Sequence, residues 1–332
     1  MGGGSQMDFA IISYLGRKKL YSKLKSKGII KVRPLFDKEA SIQRDFYGRS
    51  IISSAAGNNL IYSLLDKKNP AMIARIGTIE MGTLNTCMLY EKGIIKNIPD
   101  MTKKMLHNNA GYFGRDNIPT DEEMLQFLAM YRNAIRRVDM LASFENHAED
   151  YFIKKYASDE MIVAQLCSLE PYYFENPWSR VLENKRVLVI HPFASSIENQ
   201  FNNRDKLFGE SKILPPFTLE TIQAVQTIGE NKVGFNDWFE ALDYMKEQII
   251  QKDFDIAIIG CGAYGFPLAA YVKDLGKKAI VMAGATQLLF GIKGKRWDNN
   301  PIINRFYNDY WVRPTIAEKP NAADSVENGC YW

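Results

Sequence analysis

The stretch Gly260-Cys-Gly-Ala-Tyr-Gly265 constrains the fold more than any other part of this sequence, because a strand precedes it and a helix follows it. Residues 255–259 form an apolar run of strand length. Residues 266–273 have a helical pattern, with Pro267 in the first turn, where its missing N–H costs nothing. Gly276 ends that helix, and residues 279–282 form a second apolar strand. The sequence therefore predicts a βαβ unit with two parallel strands.

The same six residues match the pattern GxGxxG, in which glycines let the backbone approach a ligand and the helix N-terminus favours phosphate. A nicotinamide dinucleotide site also needs an acid about 20 residues further on, at the end of the second strand. Residues 283–287 (AGATQ) occupy that place, and no acid follows before Asp298. Three interpretations stay open: a site for another phosphate-bearing ligand, a nicotinamide site, and a purely structural tight turn.

Strands and helices alternate along the rest of the chain. We predict strands at 71–75 and 186–191, helices at 50–65, 197–208 and 239–251, and a polar, turn-rich segment over 101–119. Thr120 and Glu123 form a capping-box pattern for a helix reaching about residue 137. Such alternation predicts a doubly wound, mostly parallel, Rossmann-like α/β sheet with helices on both faces. Ligands of these sheets bind beyond the carboxyl ends of the strands, here residues 75–80, 191–196, 260–265 and 284–287.

Composition divides the 332 residues into three parts. Residues 1–6 (MGGGSQ) are typical of a cloning scar, 7–49 form a basic N-terminal helical segment, and 50–332 form a single α/β domain. Between Arg17 and Arg33 stand eight basic residues and no acid, interleaved with leucines and a tyrosine. Residues 9–33 are therefore predicted to form an amphipathic helix that lies on an anionic membrane surface or packs on the protein body.

Several classes of protein do not fit the sequence. No apolar run reaches the length of a membrane span, and no nucleic-acid-binding pattern accompanies the basic segment. The four scattered cysteines, with no CxxC pair, predict reduced thiols in a cytoplasmic protein. The histidines lack metal-ligand spacing, and neither a Walker loop nor a GxSxG elbow occurs.

Charged residues at predicted strand ends are the best candidates for chemistry. Arg75 and Glu80 flank Gly77, where an arginine can clamp a diphosphate and a glutamate can hold a cation or a sugar hydroxyl. An ion pair that closes the loop is the structural alternative. His191 ends a strand, where it can bind phosphate, act as a base, or donate to a neighbouring turn. We expect the turn at 75–80 and the turn at 260–265 to meet at one rim of the sheet.

Residues 72–80 (MIARIGTIE) resemble the RxGDxE segment of bacterial GT-D type glycosyltransferases, which extend cell-surface glycans from nucleotide-sugar donors. Further short stretches match in the same order: residues 109–113, Asp139, residues 169–171 before Trp178, residues 187–190, and residues 263–265. The resemblance spans about residues 50–290 and implies the GT-D variant of the doubly wound fold. The segments 293–297 and 329–332 have no counterpart in that family.

The resemblance also implies site residues. Those that would border the donor are Arg75, Gly77, Thr78, Gly260, Gly262, Ala263, Tyr264, Gly265, Gln287 and Arg296. The family's paired acids imply Mn²⁺ or Mg²⁺ bound with the donor diphosphate, but here the sequence is Thr78-Ile79-Glu80. One carboxylate fewer should weaken metal binding at Glu80, or basic side chains must neutralise the diphosphate instead.

We therefore expect a cytoplasmic, peripherally membrane-bound glycosyltransferase that moves a sugar, most readily from a UDP-sugar, to a glycan or lipid-linked acceptor. An inverting reaction needs a base, for which Glu80, Asp139, Glu170 and His191 are the candidates. The alternatives are an NAD-dependent oxidoreductase, disfavoured by the missing ribose-binding acid, and a non-catalytic nucleotide- or sugar-binding module of polysaccharide assembly.

Overall fold

The computed structural model describes residues 49–146, 148–231, 233–326 and 328–332. The predicted cloning scar and the predicted amphipathic helix over residues 9–33 lie outside the described residues. The strands are β1 Ile51–Ile52, β2 Ala71–Ala74, β3 Met140–Ser143, β4 Ile162–Gln165, β5 Arg186–His191, β6 Thr218–Gln223, β7 Ile256–Ile259 and β8 Lys278–Val281. The helices are α1 Ser54–Asp66, α2 Thr78–Glu91, α3 Asp100–Ala110, α4 Asp121–Ala134, α5 Glu149–Tyr156, α6 Ala194–Phe201, α7 Arg204–Leu207, α8 Trp238–Ile250, α9 Gly265–Asp274, α10 Thr286–Leu289 and α11 Pro301–Asn304.

The strands form one eight-stranded sheet in the order β1-β4-β3-β2-β8-β7-β5-β6, and every pair is parallel. The first four strands make one half and the last four the other. The halves join where Met72 of β2 lies opposite Ala279 of β8. The doubly wound prediction is confirmed. The connection after β5 leads to β6 on one side and the connection after β7 leads to β8 on the other, so the topological switch point, where ligands of such sheets bind, lies between β5 and β7.

Each face of the sheet carries its own apolar core, because successive side chains of a strand point to opposite faces. In β5, Leu188 and Ile190 belong to one core, and Val187 and Val189 to the other. These strands are apolar at nearly every position because helices cover both faces. Among the helices that the structure describes, none combines the length and apolar composition of a membrane crossing.

Three predicted elements differ in the structure. The helix predicted over 197–208 is two helices, α6 and α7, separated at residues 202–203. The helix predicted from residue 50 begins at Ser54, because Ile51–Ile52 pairs with β4 and the Ser53 hydroxyl caps the helix by accepting the Ala56 N–H. The segment predicted as turn-rich contains α3, which ends where Gly111 adopts a left-handed φ of 80°.

The capping box at Thr120 is present as predicted and starts α4. The predicted βαβ unit is β7, α9 and β8.

Candidate functional site

A cavity of about 450 Å³ lies at the carboxyl ends of β2, β8, β7 and β5. Its walls include residues 77–80 after β2, 283–284 after β8, 260–262 after β7 and 191–193 after β5. The turn with the arginine and glutamate and the glycine-rich turn therefore meet at one rim, beside the central strand pair. The volume lies within the range of small-molecule sites, roughly 300–1,000 Å³.

Eight of the ten residues predicted to border a donor line this cavity: Arg75, Gly77, Thr78, Gly260, Gly262, Tyr264, Gln287 and Arg296. The other two face the protein interior. Ala263 is fully buried, with its carbonyl accepting the Tyr131 hydroxyl. A Cβ on Gly265 would lie 3.3 Å from Val281, so this glycine serves the packing of α9 on β8.

Arg75 places a guanidinium group among apolar and acidic neighbours. Its Cζ lies 4.4 Å from the ring centroid of Phe144. Burial lowers the pKa of Arg75, while Tyr331, Glu170 and Glu80 act in the opposite direction. Its Nε is buried and has no hydrogen-bond partner in the described part of the chain. An arginine with an unsatisfied donor at a cavity wall is suited to bind an anionic ligand.

Glu80 supplies the one carboxylate among the described residues that line the cavity. It lies in the first turn of α2, and a Cβ added to Gly77 would come within 2.0 Å of its Oε2. The carboxylate thus folds back over the helix N-terminus. A glycine is needed at position 77 to leave room for this carboxylate and not for its backbone conformation, since a φ of −63° suits any residue. Burial raises the pKa of Glu80, against the opposing effects of its own backbone N–H and of Arg75.

His191 is a neutral hydrogen-bond donor in this setting. Its Nδ1 accepts the backbone N–H of Phe193 at 3.0 Å, and burial lowers the pKa of the imidazole to about 3. A neutral ring that accepts at Nδ1 carries its proton on Nε2. The ring at the cavity wall can therefore donate a hydrogen bond to a ligand through Nε2. It cannot act as a base there, because Nε2 already carries the proton.

The glycines of the glycine-rich turn are explained by packing within the protein. A Cβ on Gly260 would lie 2.6 Å from the Ala283 carbonyl oxygen and 2.7 Å from Cδ2 of His191. Gly262 has a φ of 57° and would place a Cβ 2.8 Å from the Ala110 carbonyl oxygen. These contacts match the structural interpretation of the GxGxxG pattern, and the turn contributes a wall to the cavity.

Two of the four predicted base candidates lie outside the cavity. Asp139 precedes β3, so it lies at the opposite edge of the sheet, where it accepts the Met72 N–H at 2.7 Å and pairs with Lys273 at 2.7 Å. Its role is structural, and a place for Asp139 in the site is excluded by this geometry. Glu170 is buried and acts electrostatically on Arg75 without lining the cavity.

Glu170 should give the protein a pH-dependent stability. Burial raises its pKa from 4.5 to about 7, although Arg75 acts in the opposite direction. The folded state then holds a proton that the unfolded state releases, so stability falls as the pH rises from about 4.5 to 7. The free energies of unfolding of Glu170→Gln and of the natural protein are compared by urea unfolding. Between pH 5 and pH 8 we expect their difference to change by up to about 3 kcal/mol in favour of Glu170→Gln.

The exposed Glu175, in the same segment, is the matched control for this prediction. Glu175→Gln should unfold like the natural protein at both pH values. The contribution of His191, which acts in the acid range, is shared by all three proteins and cancels in the comparison. If the free energy of unfolding of Glu170→Gln differed from that of the natural protein by the same amount at pH 5 and at pH 8, the pKa of Glu170 would not be raised.

The sequence did not indicate that residues near 331 reach the site. Tyr331 and Trp332 line the cavity, and the Tyr331 ring lies so close to Gly284 that a Cβ there would be 2.3 Å from it. The Cζ of Arg296 lies 5.0 Å from the Tyr331 ring centroid. The amide of Gln287 donates to the carbonyls of Ile292, Lys293 and Tyr331 and so holds this wall together.

The residues at the cavity do not fit a protein-held divalent cation. Glu80 is a single carboxylate near Arg75, and the Thr78 hydroxyl donates to Asn146 at 2.9 Å. Among the described residues, no group of three or more histidine, cysteine, aspartate or glutamate side chains could hold a metal ion. A protein cage for Mg²⁺ or Mn²⁺ needs more oxygen ligands than this wall offers.

Fold and cavity together define a doubly wound α/β protein with a cavity at its topological switch point, lined by two arginines and one glutamate. Beyond that class, no protein-family model, no curated protein and no solved structure matches this chain.

Proposed function

We propose that this protein is a glycosyltransferase that binds a nucleotide-diphosphate sugar, most readily a UDP-sugar, in the cavity and transfers the sugar to a glycan or lipid-linked acceptor. The observation that carries the proposal is the convergence of Arg75 and Arg296 with Glu80 in one cavity. Two guanidinium groups match the charge of a diphosphate. The rings of Tyr331 and Trp332 offer flat apolar faces for a base or a sugar.

In this reaction the protein must stabilise charge that develops on the departing diphosphate. Arg75 and Arg296 supply fixed positive charge, and His191 supplies a neutral donor. These groups are held by the fold, so little reorganisation accompanies the reaction.

Glu80 is the residue best placed to accept the proton of the acceptor hydroxyl if the anomeric centre is inverted. Its raised pKa makes it a stronger base than an exposed glutamate. Neither Asp139 nor His191 competes for this role, since Asp139 lies at the other edge of the sheet and His191 holds its proton at Nε2. The protein would work in the cytoplasm, with residues 9–33 against the inner face of the membrane.

A ligand panel tests the proposal. The full chain is mixed with UDP-, GDP- and CMP-sugars, with and without Mn²⁺, and thermal unfolding and release of free nucleotide are followed. We expect a UDP-sugar to raise the unfolding temperature and to be turned over when acceptor is present. No response to any donor would remove the proposal. Binding without hydrolysis or transfer would identify a non-catalytic module, and a response to NAD alone would identify an oxidoreductase.

Gly77 should be needed for turnover because it makes room for Glu80. In Gly77→Ala the new methyl group would displace the carboxylate, whose oxygen lies 2.0 Å from the Cβ position. We expect donor turnover to fall about 100-fold, the scale of one misplaced acid–base group, with UDP binding retained. Turnover is measured by release of UDP.

Gly82 offers a matched control in the same helix, since a Cβ there meets nothing within 4 Å. Gly82→Ala should keep full turnover and stabilise the protein by about 1 kcal/mol, the usual gain from alanine in a helix interior. If both variants kept normal turnover, the position of Glu80 would not matter to the reaction.

A further inference from the structure

A second concave surface lies beside the cavity, past the carboxyl end of β6, with a volume of about 530 Å³. We call it the amide groove, and its walls include Gln223, Gln226, Gln248, Phe235, Tyr244 and Glu318. Pro192, Val225 and Gln226 also line the cavity, so the two spaces share one ridge. Gln223 pairs in register with His191 of the neighbouring strand.

Three side-chain amides of the groove have donors and acceptors without partners among the described residues. The amides of Gln223, Gln226 and Gln248 make no hydrogen bond to the described residues, and Nε2 of Gln248 is buried. A buried amide without a partner carries a desolvation cost, so its presence in a groove indicates a ligand that satisfies it. Each amide both donates and accepts, which suits hydroxyl groups.

Two aromatic rings stand in the same groove. The ring centroids of Phe235 and Tyr244 are 5.1 Å apart, and Tyr244 is 46% exposed. The exposed Tyr244 ring and the partly buried Phe235 ring, beside free amides, are suited to a ligand with apolar C–H faces edged by hydroxyl groups, as in a sugar ring.

The described lining residues of the groove present no unpaired charge. Among these described residues Glu318 is the one charged side chain. Its carboxylate accepts the backbone N–H of Ser196 at 2.9 Å, the backbone N–H of Thr315 at 3.1 Å and the hydroxyls of both residues. Neither lysine nor arginine is among its described lining residues. Among the described lining residues a phosphate or carboxylate ligand would find no counter-charge, whereas a neutral glycan needs none.

We propose that the amide groove binds a neutral glycan acceptor, with the reactive hydroxyl reaching over the shared ridge towards the donor cavity. This inference rests on the proposed function and narrows its acceptor to an uncharged carbohydrate. In the transfer, the acceptor oxygen bonds to the anomeric carbon while the bond from that carbon to the diphosphate oxygen breaks. The bonding pair leaves with the nucleoside diphosphate, and the hydroxyl proton goes to Glu80.

The test uses the full chain with saturating UDP and a panel of neutral tri- and tetrasaccharides of glucose, galactose, mannose or N-acetylhexosamines. Uronic-acid oligosaccharides and vesicles of anionic phospholipid are the charged counterparts. Binding is measured by saturation-transfer NMR and calorimetry. We expect at least one neutral oligosaccharide to bind and the charged probes not to compete with it.

Two near-isosteric variants probe the amides. Gln223→Met and Gln248→Met should each weaken oligosaccharide binding about tenfold, the scale of one hydrogen bond with its desolvation, while UDP affinity stays within about twofold. Gln251→Met, on an exposed position just past the end of α8, should change neither affinity. Loss of affinity in Gln248→Met without loss of thermal stability would show that the amide serves the ligand rather than the fold.

The outcomes separate this inference from the proposed function. If UDP-sugars bind and no neutral oligosaccharide does, or if the two variants bind oligosaccharide normally, the groove inference is overturned and the donor site stands. Selective binding of the charged probes also overturns it. If oligosaccharide binding depends on Gln248 but no nucleotide sugar binds, the groove is a glycan site and its role as an acceptor site is overturned.

Discussion

Replacing Arg75 by alanine is expected to weaken UDP-sugar binding about 100-fold, the largest effect on affinity of any single change at the site. The guanidinium lies on the Phe144 ring with a buried Nε that has no partner among the described residues. A bidentate contact from such a group to a diphosphate is worth several kcal/mol, and each 1.4 kcal/mol is tenfold in affinity. Arg75→Lys keeps the charge but loses the planar fork, so its affinity should lie between the two.

Arg137→Ala is the matched control, because Arg137 is a half-buried arginine that pairs with Asp274 at 3.2 Å and lies before β3, at the edge of the sheet opposite the cavity. It should bind the donor normally in the same calorimetric titration. Arg75→Ala also removes the cation beside Glu80 and Glu170, so the pKa of both carboxyls should rise further. Donor affinity that is equal in Arg75→Ala and Arg137→Ala would place the diphosphate elsewhere.

The sequence predicted the central part of the fold because strongly apolar strands alternate with helices there. β5, β7 and β8 are buried along nearly their whole length, and a parallel sheet between two helical layers is the arrangement that requires this. The edge strand β6, TLETIQ, mixes polar and apolar residues and is half-exposed, so it gave no such signal. The helix α3 buries only Leu106, His107 and Ala110, which left its periodicity too weak to predict.

Position along the parallel strands decides which site residues could be predicted. Arg75 follows a buried strand and the glycine-rich turn follows another, so in a parallel sheet both must lie at the carboxyl edge. Asp139 was wrongly predicted at the site because β3 was not predicted. A residue that precedes a parallel strand lies at the opposite edge of the sheet from one that follows a strand. Tyr331 and Trp332 reach the cavity through tertiary contacts with Gly284 and Gln287, which no local pattern encodes.

Glu80→Gln is expected to lower kcat about 1,000-fold while leaving UDP-sugar affinity within a few-fold of normal. The amide keeps the shape that fits over Gly77 but cannot accept a proton, and general-base catalysis contributes roughly 10²–10⁴-fold. Binding persists because the cations that face the diphosphate, Arg75 and Arg296, are unchanged. Turnover and affinity therefore separate in this variant, whereas Arg75→Ala lowers both.

The pH profile gives this variant a signature that a structural role would not produce. Burial raises the pKa of Glu80, so turnover of the natural protein should increase with pH through a limb above the ordinary glutamate range, as the carboxyl loses its proton. The residual turnover of Glu80→Gln should lack that limb. Glu91→Gln removes a carboxylate from the end of the same helix, where it pairs with Arg132, and should keep both the limb and the rate. If Glu80→Gln kept the natural rate and profile, the acceptor proton would leave by another group.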